Sequence, residues 1–335
     1  MRHPLFCSDL SLTPPDGRPY HRLVNGLRDS SQPVDFVRRV RALFAATRPL
    51  QWSKNLLLFL PLFFSVNQAW SLNDLDSALS LGLRAAAAFV IFVCLSASVY
   101  LLNDCIDVER DRAHPRKRHR PVASGQLPVS VAMTSASVLT AVGLVAAFLI
   151  QPLFGVTCLA YVAIQDAYTV RLKRAVLIDV FCVASGFVLR VMAGAAVIEV
   201  PVSEWLYICS GLGALFIALS KRRSELSAAG ESARQQRDAL GAYTLQMLDQ
   251  MIAVVAASAL VTYALYTFIA DNLPDNHAML LTLPFVGFGL LRYIYLVHTR
   301  DSGENPEDML TSDVPLATAV VLWIAVSAVI LLVAG

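Results

Sequence analysis

Long apolar blocks separated by short polar stretches run through the chain from residue 53 to its C-terminal end. The blocks at 86–102, 138–150 and 314–334 are rich in Leu, Ala and Val, without alternation of apolar and polar positions. A helix needs about 20 apolar residues to cross a bilayer, whereas the strands of a membrane barrel alternate. The pattern therefore predicts a helical protein that crosses a membrane several times.

Nine segments are long and apolar enough to be membrane-spanning helices. They are 53–72, 82–102, 129–149, 153–170, 177–197, 204–220, 246–270, 278–297 and 315–334. Composition agrees with this prediction, since 56% of the 335 residues are hydrophobic and only 16% are charged. So little charge cannot cover a water-exposed surface, which excludes a soluble enzyme. The predicted fold class is all-α, a polytopic membrane protein with nine transmembrane helices.

The residues before the first predicted span divide into two parts. In 34–47, Val37, Val40 and Phe44 recur at helical spacing with arginines between them. This pattern predicts an amphipathic helix that lies in the membrane interface. Residues 1–33 contain several prolines and no apolar core of signal-peptide length, so we expect a loosely ordered extension before a membrane domain that covers 34–335.

Positive charge is distributed unequally between the two sides of the predicted bundle. One side carries nine Lys and Arg in residues 1–54 and six in 103–128, whereas the other side carries only Arg84. Because positively charged loops stay in the cytoplasm, the N-terminus is predicted inside and the C-terminus outside. Any chemistry is then expected to use the cytoplasmic loops or a cavity beneath them.

Three carboxylates follow the second predicted span. Asp104, Asp107 and Asp111 are spaced i, i+3, i+7, which places them on one face of a helix. Clustered carboxylates repel one another and favour a bound cation, and ligation by oxygen alone suits Mg²⁺. The basic run 116–120 follows directly and could meet phosphate charge. The spacing leaves an ordinary solvated, salt-bridged loop open as the alternative.

Other polar residues lie within or at the inner ends of the spans. Arg190 falls inside the fifth predicted span, where an arginine is costly enough to suggest a function. An ion pair inside the bundle or a snorkelling side chain remains open. Residues at the inner ends are Arg48, Lys54, Tyr168, Lys173, Lys221 and Arg222. For Lys221 and Arg222, which cap the sixth span, a plain positive-inside anchor remains open as the alternative to a binding role.

At these residues the chain resembles the UbiA superfamily of intramembrane prenyltransferases, over roughly residues 45 to 335. The superfamily motif NDxxDxxxD is matched from Asn103 to Asp111. After the sixth span, where most members have a second Asp-rich motif, this chain has the basic string SKRRSEL (220–226). With strings such as RPLQWSKN (48–55) and SGFVLRVMAG (185–194), it is similar to the branch that transfers phosphoribose to decaprenyl phosphate.

The resemblance implies a central cavity that opens to the cytoplasm and a location in the bacterial inner membrane. It implies that Asp104, Asp107 and Asp111 are catalytic residues that hold Mg²⁺ against the diphosphate of 5-phosphoribosyl-1-diphosphate (PRPP), with Asn103 positioning the chain. Phosphoribose would pass to a polyprenyl phosphate, giving a lipid-linked pentose donor for cell-envelope polysaccharide. Candidates for binding the remaining phosphates are Lys54, Arg116, Lys117, Arg120, Tyr168, Lys173, Arg190, Lys221 and Arg222.

Two other functions remain open at this point. A prenyltransferase that joins a prenyl diphosphate to an aromatic acceptor would need a second acidic metal site, which is not evident after the sixth span. A carrier of lipid phosphates would perform no chemistry, and carriers often contain internal repeats. No convincing repeat relates the two halves of this chain. Membrane lipids are expected partners, a homo-oligomer is possible, and no nucleic-acid partner is expected.

Overall fold

The described part of the chain consists of helices and the turns between them. A computed structural model describes residues 32–201, 203–229, 240–270, 273–274, 276–299, 309 and 312–333. Within these ranges there are two isolated bridges and no strand. The predicted all-α class is therefore confirmed. The predicted extension 1–33 lies outside the described residues apart from its last two positions.

We number the α-helices of the described residues in chain order. They are α1 (Gln32–Ala46), α2 (Leu60–Phe64), α3 (Leu75–Ile106), α4 (Val108–Ala113), α5 (Val129–Ile150), α6 (Pro152–Val170), α7 (Ile178–Ile198), α8 (Glu204–Ala229), α9 (Leu245–Ile269), α10 (Leu283–Thr299) and α11 (Val314–Val333). Short 3₁₀ helices cover Pro49–Phe59, Lys117–His119, Leu172–Arg174, Leu240–Ala242 and Ala278–Thr282.

Seven helices in the described residues are long and apolar enough to cross a membrane. They are α3, α5, α6, α7, α9, α10 with the 3₁₀ turn before it, and α11. Each coincides with one of the nine predicted spans. The predicted span 204–220 lies within α8, which has 26 residues but is not among the seven. Its apolar part continues directly into the charged residues 221–223.

The first predicted span, 53–72, is wrong as a single α-helix. The chain forms a 3₁₀ helix over Pro49–Phe59, then only the five residues of α2, and then turns. Pro61 has no backbone N–H, so it cannot donate the α-helical hydrogen bond to the residue four positions earlier. Beyond α2, the amide of Asn67 donates to the Trp70 carbonyl over 2.7 Å, which closes a turn where the prediction placed helix.

Helix α7 lies at the centre of the packing. It contacts α6, α8 and the 3₁₀ helix Pro49–Phe59, and its small residues, such as Ala193 and Gly194, are buried. Small residues allow membrane helices to approach closely. A Cβ atom built on Gly194 would overlap the Leu58 carbonyl oxygen and lie 2.9 Å from its carbonyl carbon. The contact therefore depends on glycine.

Replacing Gly194 by Ala is expected to destabilise the fold, because the backbones of α7 and the 3₁₀ helix must separate. Overpacking typically costs about 1–3 kcal/mol. Thermal unfolding of the purified protein measures the effect. Gly213→Ala in α8 is the matched control, since a Cβ there meets nothing within 4 Å. Equal unfolding temperatures for the two variants would contradict the close-packing argument.

Helix α1, Gln32–Ala46, covers most of the segment 34–47 that was predicted to be an amphipathic helix. Its Ala42 and Ala46 are buried against the end of α3 and the loop before α5. Phe36 and Phe44 remain exposed, so the helix presents a second, uncovered apolar face. Because α1 is fixed to the end of α3, Arg48, which follows it, lies beside the carboxylates there.

Candidate functional site

Asp104, at the end of α3, is the centre of a buried charge cluster. The Asp104 side chain is only 2% exposed, and one of its oxygens accepts hydrogen bonds from Arg48 and from Arg120, the latter over 3.3 Å. The same Arg120 nitrogen donates to Asp111 over 2.6 Å. Arg120 thus joins two carboxylates of the predicted motif, and the Arg48 guanidinium also lies 4.8 Å from the centre of the Tyr100 ring.

The third carboxylate of the motif has its own cation. Asp107 accepts hydrogen bonds on both oxygens from the Lys173 ammonium, each over 2.7 Å. Lys173 is 6% exposed and comes from the 3₁₀ helix between α6 and α7. The fold therefore brings two loops together that are far apart in sequence.

The backbone explains why the motif remains compact where α3 ends. The amide of Asp107 donates to the Asn103 carbonyl over 2.9 Å, and the amide of Asp111 donates to the Asp107 carbonyl over 2.8 Å. Helical hydrogen bonding thus continues from α3 into α4, and all three carboxylates stay on one side. Asn103 contributes through its carbonyl group and is half-buried.

The carboxylates suit a divalent ion by their chemistry, since hard cations such as Mg²⁺ prefer oxygen ligands. In the arrangement described, Arg48, Arg120 and Lys173 bind both oxygens of Asp107 and one oxygen each of Asp104 and Asp111. Within the described ranges, no group of three or more His, Cys, Asp or Glu side chains is arranged to hold a metal ion. Mg²⁺ would therefore compete with these cations for the same oxygens.

Arg190 lies in a second cluster, inside the bundle. Its side chain donates to the Asn55 side-chain oxygen over 2.8 Å, the Gly186 carbonyl over 2.7 Å and the Tyr161 hydroxyl over 2.9 Å. The guanidinium also lies 4.8 Å from the centre of the Tyr161 ring. These partners are all neutral, and no carboxylate of the described residues is within ion-pair distance of Arg190. Within the part of the chain that the structure describes, this buried positive charge is thus held in place by neutral groups.

Lys54 belongs to the same region. Its ammonium donates to Gln51 over 2.5 Å, and both Lys54 and Arg190 interact electrostatically with the Tyr161 hydroxyl. The adjacent Asn55 is fully buried and also donates to Ser96 of α3 over 3.3 Å. The segment RPLQWSKN (48–55) therefore supplies residues to both clusters: Arg48 contacts Asp104, and Asn55 contacts Arg190.

Arg222 lies in a third cluster and is engaged with protein groups. It is 3% exposed and donates to Asp179 over 2.7 Å and to Glu225 over 2.6 Å. Tyr168 interacts with it electrostatically. Tyr243 donates to the other Asp179 oxygen over 3.2 Å. Lys221, the neighbouring candidate, is half-buried.

The basic run after α4 has two different environments. Arg116 and Lys117 are exposed, whereas Arg120 is half-buried against the carboxylates. His114 shapes the turn between them, since its Nδ1 accepts from the amides of Arg116 and Lys117 over 3.2 and 3.4 Å. Burial and the neighbouring Lys117 lower the pKa of His114, which favours the neutral ring that can accept these bonds.

Arg48, Asn55 and Tyr161 belong to these clusters but are not among the candidates from sequence reasoning. Arg48 stands out there only as a charge at the entrance of the first span, and Asn55 and Tyr161 carry no signal of their own. The proximity of Asn55 to Lys54 in a polar interruption of an apolar segment is the available clue. Their partners are distant in sequence, so the contacts depend on the folded bundle.

Comparison with known proteins bears on this arrangement. The model of the UbiA prenyltransferase family matches residues 58–314. The chain belongs to this family. A decaprenyl-phosphate phosphoribosyltransferase of Mycolicibacterium smegmatis is 32% identical over 294 residues, which cover 85% of this chain and 91% of the relative. An enzyme with the same name from Mycobacterium tuberculosis is 32% identical over 286 residues, 85% of this chain and 93% of the relative.

Solved structures support the UbiA fold. A UbiA homologue from Archaeoglobus fulgidus, bound to DMAPP and Mg²⁺, superposes with a TM-score of 0.64 at 19% identity. The match covers 89% of this chain and 99% of that protein. The chain is thus a multi-pass membrane protein with the UbiA fold, and its three carboxylates occupy the end of the bundle that also carries α1.

Proposed function

We propose that this UbiA-family protein transfers 5-phosphoribose from PRPP to a polyprenyl phosphate such as decaprenyl phosphate and releases diphosphate. The observation that carries the proposal is the juxtaposition of the three carboxylates with Arg48, Arg120 and Lys173 at one end of the bundle. A donor with phosphate at both ends calls for cations beside a metal-binding carboxylate set. The names of relatives at 32% identity favour the same reaction.

The donor diphosphate is assigned to the carboxylate cluster. Asp104, Asp107 and Asp111 would hold Mg²⁺, which when bound would neutralise charge on the diphosphate oxygens. Arg120 and Lys173 lie against these carboxylates and can contact phosphate once a metal takes the oxygens. Arg can bind phosphate bidentately, and Lys acts as a point charge. The UbiA homologue solved with Mg²⁺ supports a divalent metal in this fold.

The reaction exchanges one bond at the ribosyl C1 atom. An oxygen of the acceptor phosphate forms a bond to C1 while the bond from C1 to the diphosphate oxygen breaks, and the diphosphate leaves with the electron pair. The acceptor is already an anion, so the site needs no strong general base. The chain's contribution is to orient the two substrates and to stabilise charge on the leaving group.

Lys54 and Arg190 are assigned to a further phosphate group, either the ribose 5-phosphate or the acceptor phosphate. Arg190 supports this because its buried charge has only neutral partners among the described residues, and an anion would offset the cost of burying it. Tyr168 and Lys221, together with the exposed Arg116 and Lys117, remain predicted contacts. Arg222 is assigned a mainly structural role, because it already forms ion pairs with Asp179 and Glu225.

We also propose nine membrane crossings around a cavity that opens to the cytoplasm. The 3₁₀ helix of 11 residues and the five residues of α2 rise about 30 Å together, enough for a first crossing. The 26 residues of α8 provide the one further crossing needed beside the seven long apolar helices. The N-terminus would lie in the cytoplasm of a bacterium and the C-terminus outside its inner membrane. Exposed Phe36 and Phe44 on α1 support its location in the membrane interface.

Ligand-induced stabilisation tests the donor assignment. PRPP with Mg²⁺ is expected to raise the unfolding temperature of the detergent-purified protein, because a ligand that binds only the folded state stabilises it. A prenyl diphosphate at the same concentration should have a smaller effect. Stabilisation by prenyl diphosphate and none by PRPP would favour a prenyltransferase acting on a different acceptor.

A further inference from the structure

The turn that presents Lys173 ends in a strained residue. Leu177, just before α7, has φ 65° and ψ −42°, a conformation that residues with a Cβ atom rarely adopt. Its side chain is 40% exposed, so burial of that side chain does not hold the backbone there. A non-glycine residue keeps such a conformation only where its surroundings enforce it. Some other group must therefore fix this turn.

The Tyr243 hydroxyl provides that constraint. The backbone amide of Leu177 donates to the Tyr243 oxygen over 2.7 Å. Tyr243 in turn donates to Asp179 over 3.2 Å, and Arg222 donates to the second Asp179 oxygen over 2.7 Å. Tyr243 and Asp179 are both buried. Burial raises the pKa of the Tyr243 hydroxyl, so the phenol remains a donor at neutral pH.

A short, hydrogen-bonded path leads from this turn to the carboxylates. The amide of Ala175 donates to the Leu172 carbonyl over 3.0 Å, and the amide of Asp179 donates to the Ala175 carbonyl over 3.1 Å. Lys173 lies within the first of these turns and binds both oxygens of Asp107. A rotation of the Leu177 backbone would therefore displace the Lys173 ammonium from Asp107.

We propose that Tyr243 is a positioning residue, whose hydroxyl holds the strained turn at Leu177 and thereby places Lys173 against the carboxylate cluster. Tyr243 lies in residues 240–244, just before α9, and is 66 residues from Leu177 in sequence. It touches no carboxylate of the motif and acts only through the loop between α6 and α7. As a statement about catalysis, the proposal rests on the proposed phosphoribosyl transfer.

Tyr243→Phe removes only the hydroxyl and is the first test. We expect kcat/KM for PRPP to fall about tenfold, mainly through a higher KM, because Lys173 is displaced and not removed. Tyr263→Phe is the matched control. Its hydroxyl is also buried and hydrogen-bonded, to Thr282 over 2.6 Å and to Trp323 over 2.7 Å, but it lies outside the site. It should leave the KM for PRPP unchanged.

Leu177→Gly provides a rescue that a merely structural role would not show. Glycine adopts positive φ without strain, so the turn no longer depends on the hydroxyl. Tyr243→Phe should therefore lower kcat/KM for PRPP much less in the Leu177→Gly background than in the wild type. The same loss in both backgrounds, or full activity of Tyr243→Phe alone, would overturn the proposal.

Hydrogen–deuterium exchange separates this proposal from the proposed function. In Tyr243→Phe, peptides covering 172–178 should exchange faster than in the wild type, while those of α5 stay unchanged. Unchanged exchange at 172–178 would overturn the positioning role even if the enzyme were active. Faster exchange in a protein that transfers no phosphoribose would support the structural link and reject the proposed function.

Discussion

Replacing Asp104 by Asn is expected to lower the rate of phosphoribosyl transfer by about 100- to 1,000-fold, the range found when one group that stabilises a developing charge is lost. Asp104 is buried, and both Arg48 and Arg120 contact it. The change removes an anionic metal ligand of the proposed site and also the negative charge that two guanidinium groups share. The rate of diphosphate release by the purified variant, with PRPP, Mg²⁺ and decaprenyl phosphate, measures the effect.

Two further variants separate catalysis from folding in this experiment. Asp107→Asn should have an effect of similar size with less risk to folding, because Asp107 is only half-buried and, among the described residues, its recorded ion pair is with Lys173. Glu109→Gln is the control, since Glu109 is an exposed neighbour that pairs with Arg112 at the surface. Full activity of both aspartate variants would show that the carboxylates do not hold the metal.

Replacing Arg190 by Gln is expected to reduce transfer by at least about 100-fold, because a fixed positive charge inside the bundle is lost. The change also removes hydrogen bonds to Asn55, Gly186 and Tyr161. Hydrogen bonds to charged groups contribute about 1.5–3 kcal/mol each, so the unfolding temperature should fall as well. Steady-state kinetics with each substrate varied in turn, together with thermal unfolding, measure both effects.

The kinetic parameters of the Arg190 variants identify the phosphate that Arg190 binds. A higher KM for PRPP assigns it to the ribose 5-phosphate, and a higher KM for decaprenyl phosphate assigns it to the acceptor. Arg84→Gln is the matched control, because Arg84 forms an exposed pair with Glu199 at 2.8 Å, and exposed pairs contribute only about 0–1 kcal/mol. Arg190→Gln with normal kinetics and a lowered unfolding temperature would leave Arg190 with a structural role only.

The parts of the fold and site that depend on local pattern could be predicted from the sequence. Seven of the predicted spans coincide with helices long enough to cross a membrane, because length and hydrophobicity are local properties. The i, i+3, i+7 spacing of Asp104, Asp107 and Asp111 predicted a shared helix face. The hydrogen bonds from the amides of Asp107 and Asp111 now explain how that face continues past the end of α3.

The pairing of charges could not be predicted, because it joins residues far apart in the chain. Arg48 and Asp104 are 56 positions apart, and Asn55 and Arg190 are 135 positions apart. The prediction of the first span as one α-helix was wrong for a local reason that hydrophobicity alone does not show. Pro61 has no N–H and cannot donate an α-helical hydrogen bond. Arg222 was predicted to bind phosphate because it is basic and lies at the inner end of a span. In the structure its side chain forms ion pairs with Asp179 and Glu225.

The identity of the lipid product tests the central claim most directly. The purified wild-type protein is incubated with Mg²⁺ and either PRPP with decaprenyl phosphate or a prenyl diphosphate with an aromatic acceptor, and the lipids are analysed by mass spectrometry. We predict decaprenyl phosphate carrying one added phosphoribosyl group in the first reaction and no prenylated product in the second. A prenylated acceptor without any ribosylated lipid would contradict the proposed function.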